Sequence, residues 1–316
     1  MRERFNKQPA RISDNRRKLE EKGLLIPDLE ECEHYLRSIG YFRLKPYFTS
    51  FYQPEQDSSE PTFRAGTDFT QIIRLYDFDR RLRLHCLDGL ERIEVAIRAA
   101  LTETLSIRYG TDWFMQPENF RLPAQQQRYE DFRETLQAKL KKWSKPTSDQ
   151  EYFRYFFKKY GSDAIPPSWM VVESLSFGDL QLLYQGLKTS ARKEMSRLFN
   201  LSPEVLDSWL GSLRVLRNHC AHHDRIWNRK FNYSPAQNLP RLESVLKGHE
   251  PSRIYIRCII LQDFIAGIAP QSRWALRLRD LLEEYQPDLT AMGFSQDWQN
   301  LPFWQQAFQQ DSLSSC

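Results

Sequence analysis

Residues 203–227 read PEVLDSWLGSLRVLRNHCAHHDRIW, and the spacing within this stretch decides the fold class. At about 100° per residue, Leu206, Trp209, Leu210, Leu213, Leu216, Cys220 and Trp227 fall on one apolar face. Ser202, Pro203 and Glu204 supply a capping hydroxyl, a proline suited to the first turn and a carboxylate near the positive end of the dipole. The pattern predicts a helix over 203–227. Apolar residues three and four apart recur outward from it in both directions, while Val/Ile/Thr alternation is almost absent and only 12 glycines interrupt 316 residues. Helices are expected near 14–22, 28–39, 68–108, 124–143, 149–160, 168–187, 190–199, 252–268 and 272–285 as well, so the chain should be all-α. Residues 53–66 and 144–150 read as loops.

The longest periodic stretch, 68–108, places Leu87, Leu90, Ile97, Leu101 and Leu105 on one stripe with Glu94 inside it. A carboxylate in that position needs a cationic or donor partner when partly buried. Beside the apolar face of 203–227, the polar residues Arg214, Asn218, His222 and Arg225 recur at spacings of four, four and three, and Arg217 projects at the seam. Glu94 is the expected partner of Arg217.

Composition leaves the partner open. A hydrophobic content of 41% and a charged content of 27% are those of an ordinary globular chain, and a net charge of +4 permits a polyanionic partner without requiring one. MRERFNKQ has no apolar signal region, and the apolar run CIILQDFIAGIA is too short and interrupted for a bilayer span. Cys32, Cys86, Cys220, Cys258 and Cys316 are odd in number and lack CxxC spacing. A cytoplasmic protein with no membrane contact, no disulfide framework and no cysteine-based zinc site is expected.

Three of the six histidines lie within 219–223, between Arg217 and Arg225. Imidazole exchanges protons near neutral pH, and guanidinium groups hold a phosphate as charge builds on it, so the set suits phosphodiester chemistry. Asn218, one turn before His222, suits fixing that ring or holding a phosphate oxygen. Spacing alone also fits a plain polar helix face, and a metal site of His219, His222 and His223. An Arg five positions before a His recurs at Arg80 with His85 and at Arg214 with His219, so concentration carries the signal more than spacing.

The stretch LRVLRNHCAHHDRIWNR resembles the R-N-x-x-x-H signature of HEPN-domain ribonucleases, specifically the Abi-like family of prokaryotic abortive-infection proteins, the AbiD/AbiF group. Three more stretches are similar to that family in the same order: YLRSIGYFRLKPY at 35–47, DFDRRLRLHCLDGLERIEVAIR at 77–98 and PPSWMVVESLSFGDLQLLY at 166–184. The resemblance implies a HEPN-like four-helix-bundle core with additional N- and C-terminal helices, paired as a homodimer so that two motif helices share one cleft. It divides the chain into an N-terminal helical, basic and aromatic region at 1–66, a core at 67–235 with an insertion at about 110–165, and a C-terminal helical region at 236–316. Carried over by position, Arg217 and His222 match the catalytic pair and Asn218 the polar residue between them, with Glu94, Arg214 and Arg225 in support. The implied activity is antiviral RNA cleavage through the RNA's own 2′-hydroxyl, without metal or cofactor. Some relatives are linked to structured noncoding RNAs.

For holding RNA, Tyr41, Arg43 and Lys45 in GYFRLKPYF, the similar run YFRYFFKKY at 152–160, and Lys141 and Lys142 beside Trp143 combine cations with aromatic rings. Lys139, Lys145 and an N-terminal series (Arg2, Arg4, Lys7, Arg11, Arg16, Arg17 and Lys18) add to this set. Two other readings stand beside the nuclease. One is a non-catalytic helical protein that complexes a structured noncoding RNA, and the other a metal-dependent phosphoesterase built on the histidines.

Overall fold

The computed structural model of the chain describes residues 8–54, 61–121 and 126–309. Among these residues the regular structure is fifteen α-helices, five short 3-10 turns and three isolated β-bridges, so the fold is all-α. None of these helices is long and apolar enough to cross a membrane. Arg2, Arg4, Lys7 and Cys316 lie outside the described residues. The chain forms two compact units, residues 1–82 with 280–287, and residues 83–279 with 288–316. Helix Phe69–Tyr109 supplies residues to both.

In the first unit, helices Ile12–Glu21, Leu29–Ser38 and Tyr41–Phe48 close over Leu19, Cys32, Leu36, Leu44, Phe48, Phe63 and Ile72. The helix Tyr41–Phe48 is not among the helices expected from the sequence, and it forms with Gly40 at its start and Pro46 inside it. Gly40 has φ +93° with nothing within 4 Å of a would-be Cβ, so backbone conformation alone asks for glycine at this joint. Leu44, Tyr47 and Phe48, three and four apart, enter the core and hold the short helix against the cost of its proline. The Tyr47 hydroxyl donates to the buried carboxylate of Asp79 at 2.6 Å, which satisfies both groups.

The second unit is organised around helix Pro203–Ala221, which packs against Phe177–Gly186, Thr189–Arg197 and Ile254–Ile268. Ile254–Ile268 is apolar round most of its circumference and buried accordingly, with Phe264 edge-on to Trp209 at 5.7 Å. The expected helix 168–187 is two helices, Ser168–Glu173 and Phe177–Gly186. Ser176 and Asp179 form a capping box between them, each side chain accepting the other's backbone N–H at 3.2 and 2.9 Å, and this starts a new helix.

His85, on the long helix, stacks on Trp274 with centroids 4.4 Å apart, and its Nε2 is shut away without a hydrogen-bond partner. Burial, helped by the Arg277 guanidinium, pushes its pKa from 6.5 down to about 4. The unfolded chain therefore takes up a proton that the folded chain refuses. The neutral ring's stability is fully present above pH 6.5 and is lost as pH falls toward 4. Acidification through that window is expected to cost about 3 kcal/mol at this residue. His85→Phe, which keeps the stack, should flatten that part of the profile in urea titrations, and an unchanged slope would refute the assignment.

Candidate functional site

The helix Pro203–Ala221 begins as its sequence requires. Ser202 Oγ accepts the Val205 N–H at 3.3 Å, and Pro203 occupies the first turn. Arg192 donates to the Pro203 carbonyl at 3.1 Å and to Asp207 at 3.3 Å, while Gln185 donates to Asp207 at 2.7 Å. Val205, Leu206, Trp209, Leu210, Leu213, Leu216 and Cys220 are buried, and Trp209 Nε1 donates to the Ala236 carbonyl at 2.9 Å. The apolar face is thus seated at both ends.

The helix stops at Ala221 rather than running to Trp227. His223 adopts φ +60°, its N–H bonds the Cys220 carbonyl at 3.1 Å, and the Asp224 N–H bonds the His219 carbonyl at 2.8 Å. These two bonds are those of a Schellman C-cap, with a histidine in the left-handed position that glycine usually takes. His219 Nδ1 and Asp224 Oδ2, 2.8 Å apart, close the same turn from the side. Arg225 therefore leaves the helical stripe, and Trp227, though buried, is not on the helix face.

The three histidines separate accordingly. His219 is held by Asp224 and lies edge-on to Phe231 at 5.6 Å, His223 sits at the turn, and His222 is exposed at the C-cap. Among the described residues no three His, Cys, Asp or Glu side chains converge as a metal site would require.

Glu94 does not reach Arg217. It pairs with Arg98 one turn along its own helix at 2.5 Å, and Arg98 also donates to the Leu175 carbonyl at 2.9 Å. An i,i+4 partner on the same helix is always within reach, and it takes the carboxylate before a distant cation can. Arg217 is half-buried, Asn218 and His222 are exposed, and none makes a side-chain hydrogen bond or ion pair among the described residues. Asn218 does not fix the His222 ring. Arg214 is exposed and likewise unpaired, its methylenes lying 3.6 Å from where a Cβ on Gly178 would sit. The site is a ridge of two guanidinium groups, one amide and one imidazole, all uncommitted, on a rigidly seated helix. Such a set can bind an oxyanion and move a proton beside it.

The other expected contacts sort by packing. Tyr41 is half-buried edge-on against Phe48 at 5.5 Å, and the exposed ring of that helix is Phe42, at 86% exposure, flanked by exposed Arg43 and Lys45. Arg16 is paired with Glu20 and Glu33, and Arg17 with Asp14, at 2.6 to 3.0 Å, so neither is spare for a phosphate backbone. Lys139 is paired with Asp179 at 3.1 Å, whereas Lys141 and Lys142 are exposed and unpaired among the described residues.

Against known proteins, a family model described as Abi-like protein matches residues 34–228, well over half of the chain and including the whole ridge. No curated protein and no solved structure matches the chain.

Proposed function

Because this chain belongs to the Abi-like protein family, whose role is abortive-infection defence, we propose that it is an endoribonuclease cutting RNA through the substrate's own 2′-hydroxyl. One observation carries the reading. Arg217, Asn218 and His222 lie at the C-terminal end of one helix with their side chains unengaged by the rest of the described protein.

In the proposed step the 2′-oxygen attacks the adjacent phosphorus, a 2′-O–P bond forms and the P–O5′ bond breaks. The 2′-hydroxyl proton leaves to a base, and a proton arrives on the departing 5′-oxygen. His222 serves as one of these proton carriers. Arg217 neutralises the charge that builds on the non-bridging oxygens, and Asn218 donates to one of them. The products are a 2′,3′-cyclic phosphate and a 5′-hydroxyl, and the step balances without a metal or cofactor. One motif per chain supplies one histidine, so the proposal includes a homodimer in which two HEPN-type helices make a shared cleft and the second proton carrier comes from the other copy.

Incubating purified protein with RNA in excess EDTA tests this reading. Fragments with cyclic phosphate and 5′-hydroxyl ends, from a protein that light scattering shows to be a dimer, are expected. Cleavage that stops with EDTA would overturn the mechanism, and a strict monomer the shared cleft. Intact RNA that co-purifies uncut would replace it with the non-catalytic, RNA-complexing reading.

A further inference from the structure

Away from the ridge, a cavity of about 530 Å³ lies beside helix Glu151–Tyr160 and the loop that follows helix Gln126–Trp143. Glu151, Arg154, Tyr155 and Lys158 line it at i, i+3, i+4 and i+7, one continuous helical face, and Lys145 joins them from the loop. The helix is anchored by its apolar residues, of which Phe157 also forms part of the cavity wall. Phe153 and Phe157 are buried, and Phe153 stacks on Trp143 with centroids 4.4 Å apart and planes 10° from parallel.

The side chains of Lys145, Arg154 and Lys158 make no hydrogen bond or ion pair among the described residues, and Tyr155 is 68% exposed. Three cations and one carboxylate, Glu151, thus line a hollow whose volume falls in the range of small-molecule sites. The contrast with the N-terminal helix is informative, since its arginines are spent on neighbouring carboxylates. Cations left unspent around a concavity are suited to an incoming anion, and an exposed ring beside them to a flat apolar face.

We propose that this cavity binds one nucleoside phosphate unit, with the base against Tyr155 and the phosphate among Arg154, Lys158 and Lys145. Glu151, which only accepts hydrogen bonds, faces the base amino group or the ribose hydroxyls. The inference rests on the RNA reading above for the identity of a polymeric ligand. A strand of RNA and a free nucleotide offer the same chemistry. The cavity and the ridge share a support, helix Phe177–Gly186. That helix packs on Gln126–Trp143, with Asp179 paired to Lys139 at 3.1 Å, and on Pro203–Ala221.

The test uses the full-length protein and a fluorescent single-stranded 2′-O-methyl RNA, which the 2′-hydroxyl route cannot cut, followed by anisotropy at about 50 and 200 mM salt. Arg154→Ala with Lys158→Ala is expected to weaken binding at least tenfold at the lower salt and to reduce the salt slope by about two. Tyr155→Ala is expected to weaken binding with the slope unchanged. All three residues are exposed, so helical content and melting should stay at wild-type values. Adenosine monophosphate that displaces the RNA and fails to bind the double variant would assign the site to a free nucleotide. Failure to displace, with the oligomer still lost in the double variant, would assign it to a strand. Wild-type affinity and slope in the double variant for both probes would overturn the proposal. Because the probe cannot be cut, a catalytically silent protein leaves this result readable, and loss of the cavity leaves cleavage at Arg217 and His222 to be judged separately.

Discussion

Arg217→Ala and His222→Ala are each expected to slow RNA cleavage by about 10²- to 10⁴-fold, the range for losing a positioned proton carrier or a charge-stabilising donor. Stability should change by no more than about 0.5 kcal/mol in His222→Ala, because the imidazole is exposed and unbonded among the described residues. Arg217→Lys separates two roles of the guanidinium. A lysine keeps the charge and loses the bidentate fork, so activity between wild type and Arg217→Ala is expected. Initial rates on a labelled RNA, read beside thermal melts, check all three variants. Cleavage at the wild-type rate by either alanine variant would remove that residue from the reaction.

The largest expected effect on stability lies elsewhere, at Arg257. This side chain is fully buried, and its guanidinium donates to the carbonyls of Pro251 and Arg253 at 2.8 Å each and to that of Tyr233, while lying over Phe231 at 4.1 Å. Among the described residues no carboxylate pairs with it, and burial pushes its pKa below the usual arginine value. Arg257→Ala strands three carbonyls and leaves a void, so a loss on the order of 3–5 kcal/mol is expected in urea unfolding. Arg257→Lys should rescue little, since one ammonium cannot span three carbonyls or stack on a ring.

The loss should also reach the ridge helix. The Tyr233 ring lies so close to Gly211 that a Cβ there would meet its hydroxyl at 2.6 Å. Arg257 therefore helps to seat the helix that bears Arg217 and His222. A destabilisation under about 1 kcal/mol in Arg257→Ala would show that water or neighbouring groups satisfy those carbonyls without it.

Most helices were legible before any coordinates, because helical periodicity is local. Leu206, Trp209, Leu213 and Leu216 announce a buried face by their spacing alone, and Ser202 with Pro203 announces where the helix starts. Where that helix ends was not legible. Its C-cap uses His223 in a left-handed conformation, and nothing in HCAHHDR contains the glycine that normally marks such a stop. The helix Tyr41–Phe48 escaped for the converse reason. Its breakers, Gly40 and Pro46, are outweighed by three side chains that reach the core of the first unit.

By itself the sequence determined the all-α class, the start and apolar face of the helix that carries Arg217 and Asn218, and the family, since three of the four recognised stretches and all but the last residue of the fourth fall within the matched residues 34–228. Only the tertiary structure decided which groups are committed. It gave Glu94 to Arg98, His219 to Asp224 and Arg16 to Glu33, and it left Arg217 and His222 unengaged among the described residues. It also placed the apolar helix Ile254–Ile268 against the ridge helix. The physical reason is one of range. Helix period and capping are set by residues within a turn or two, whereas the pairing of a charge and the burial of a largely apolar helix depend on what distant segments bring to them.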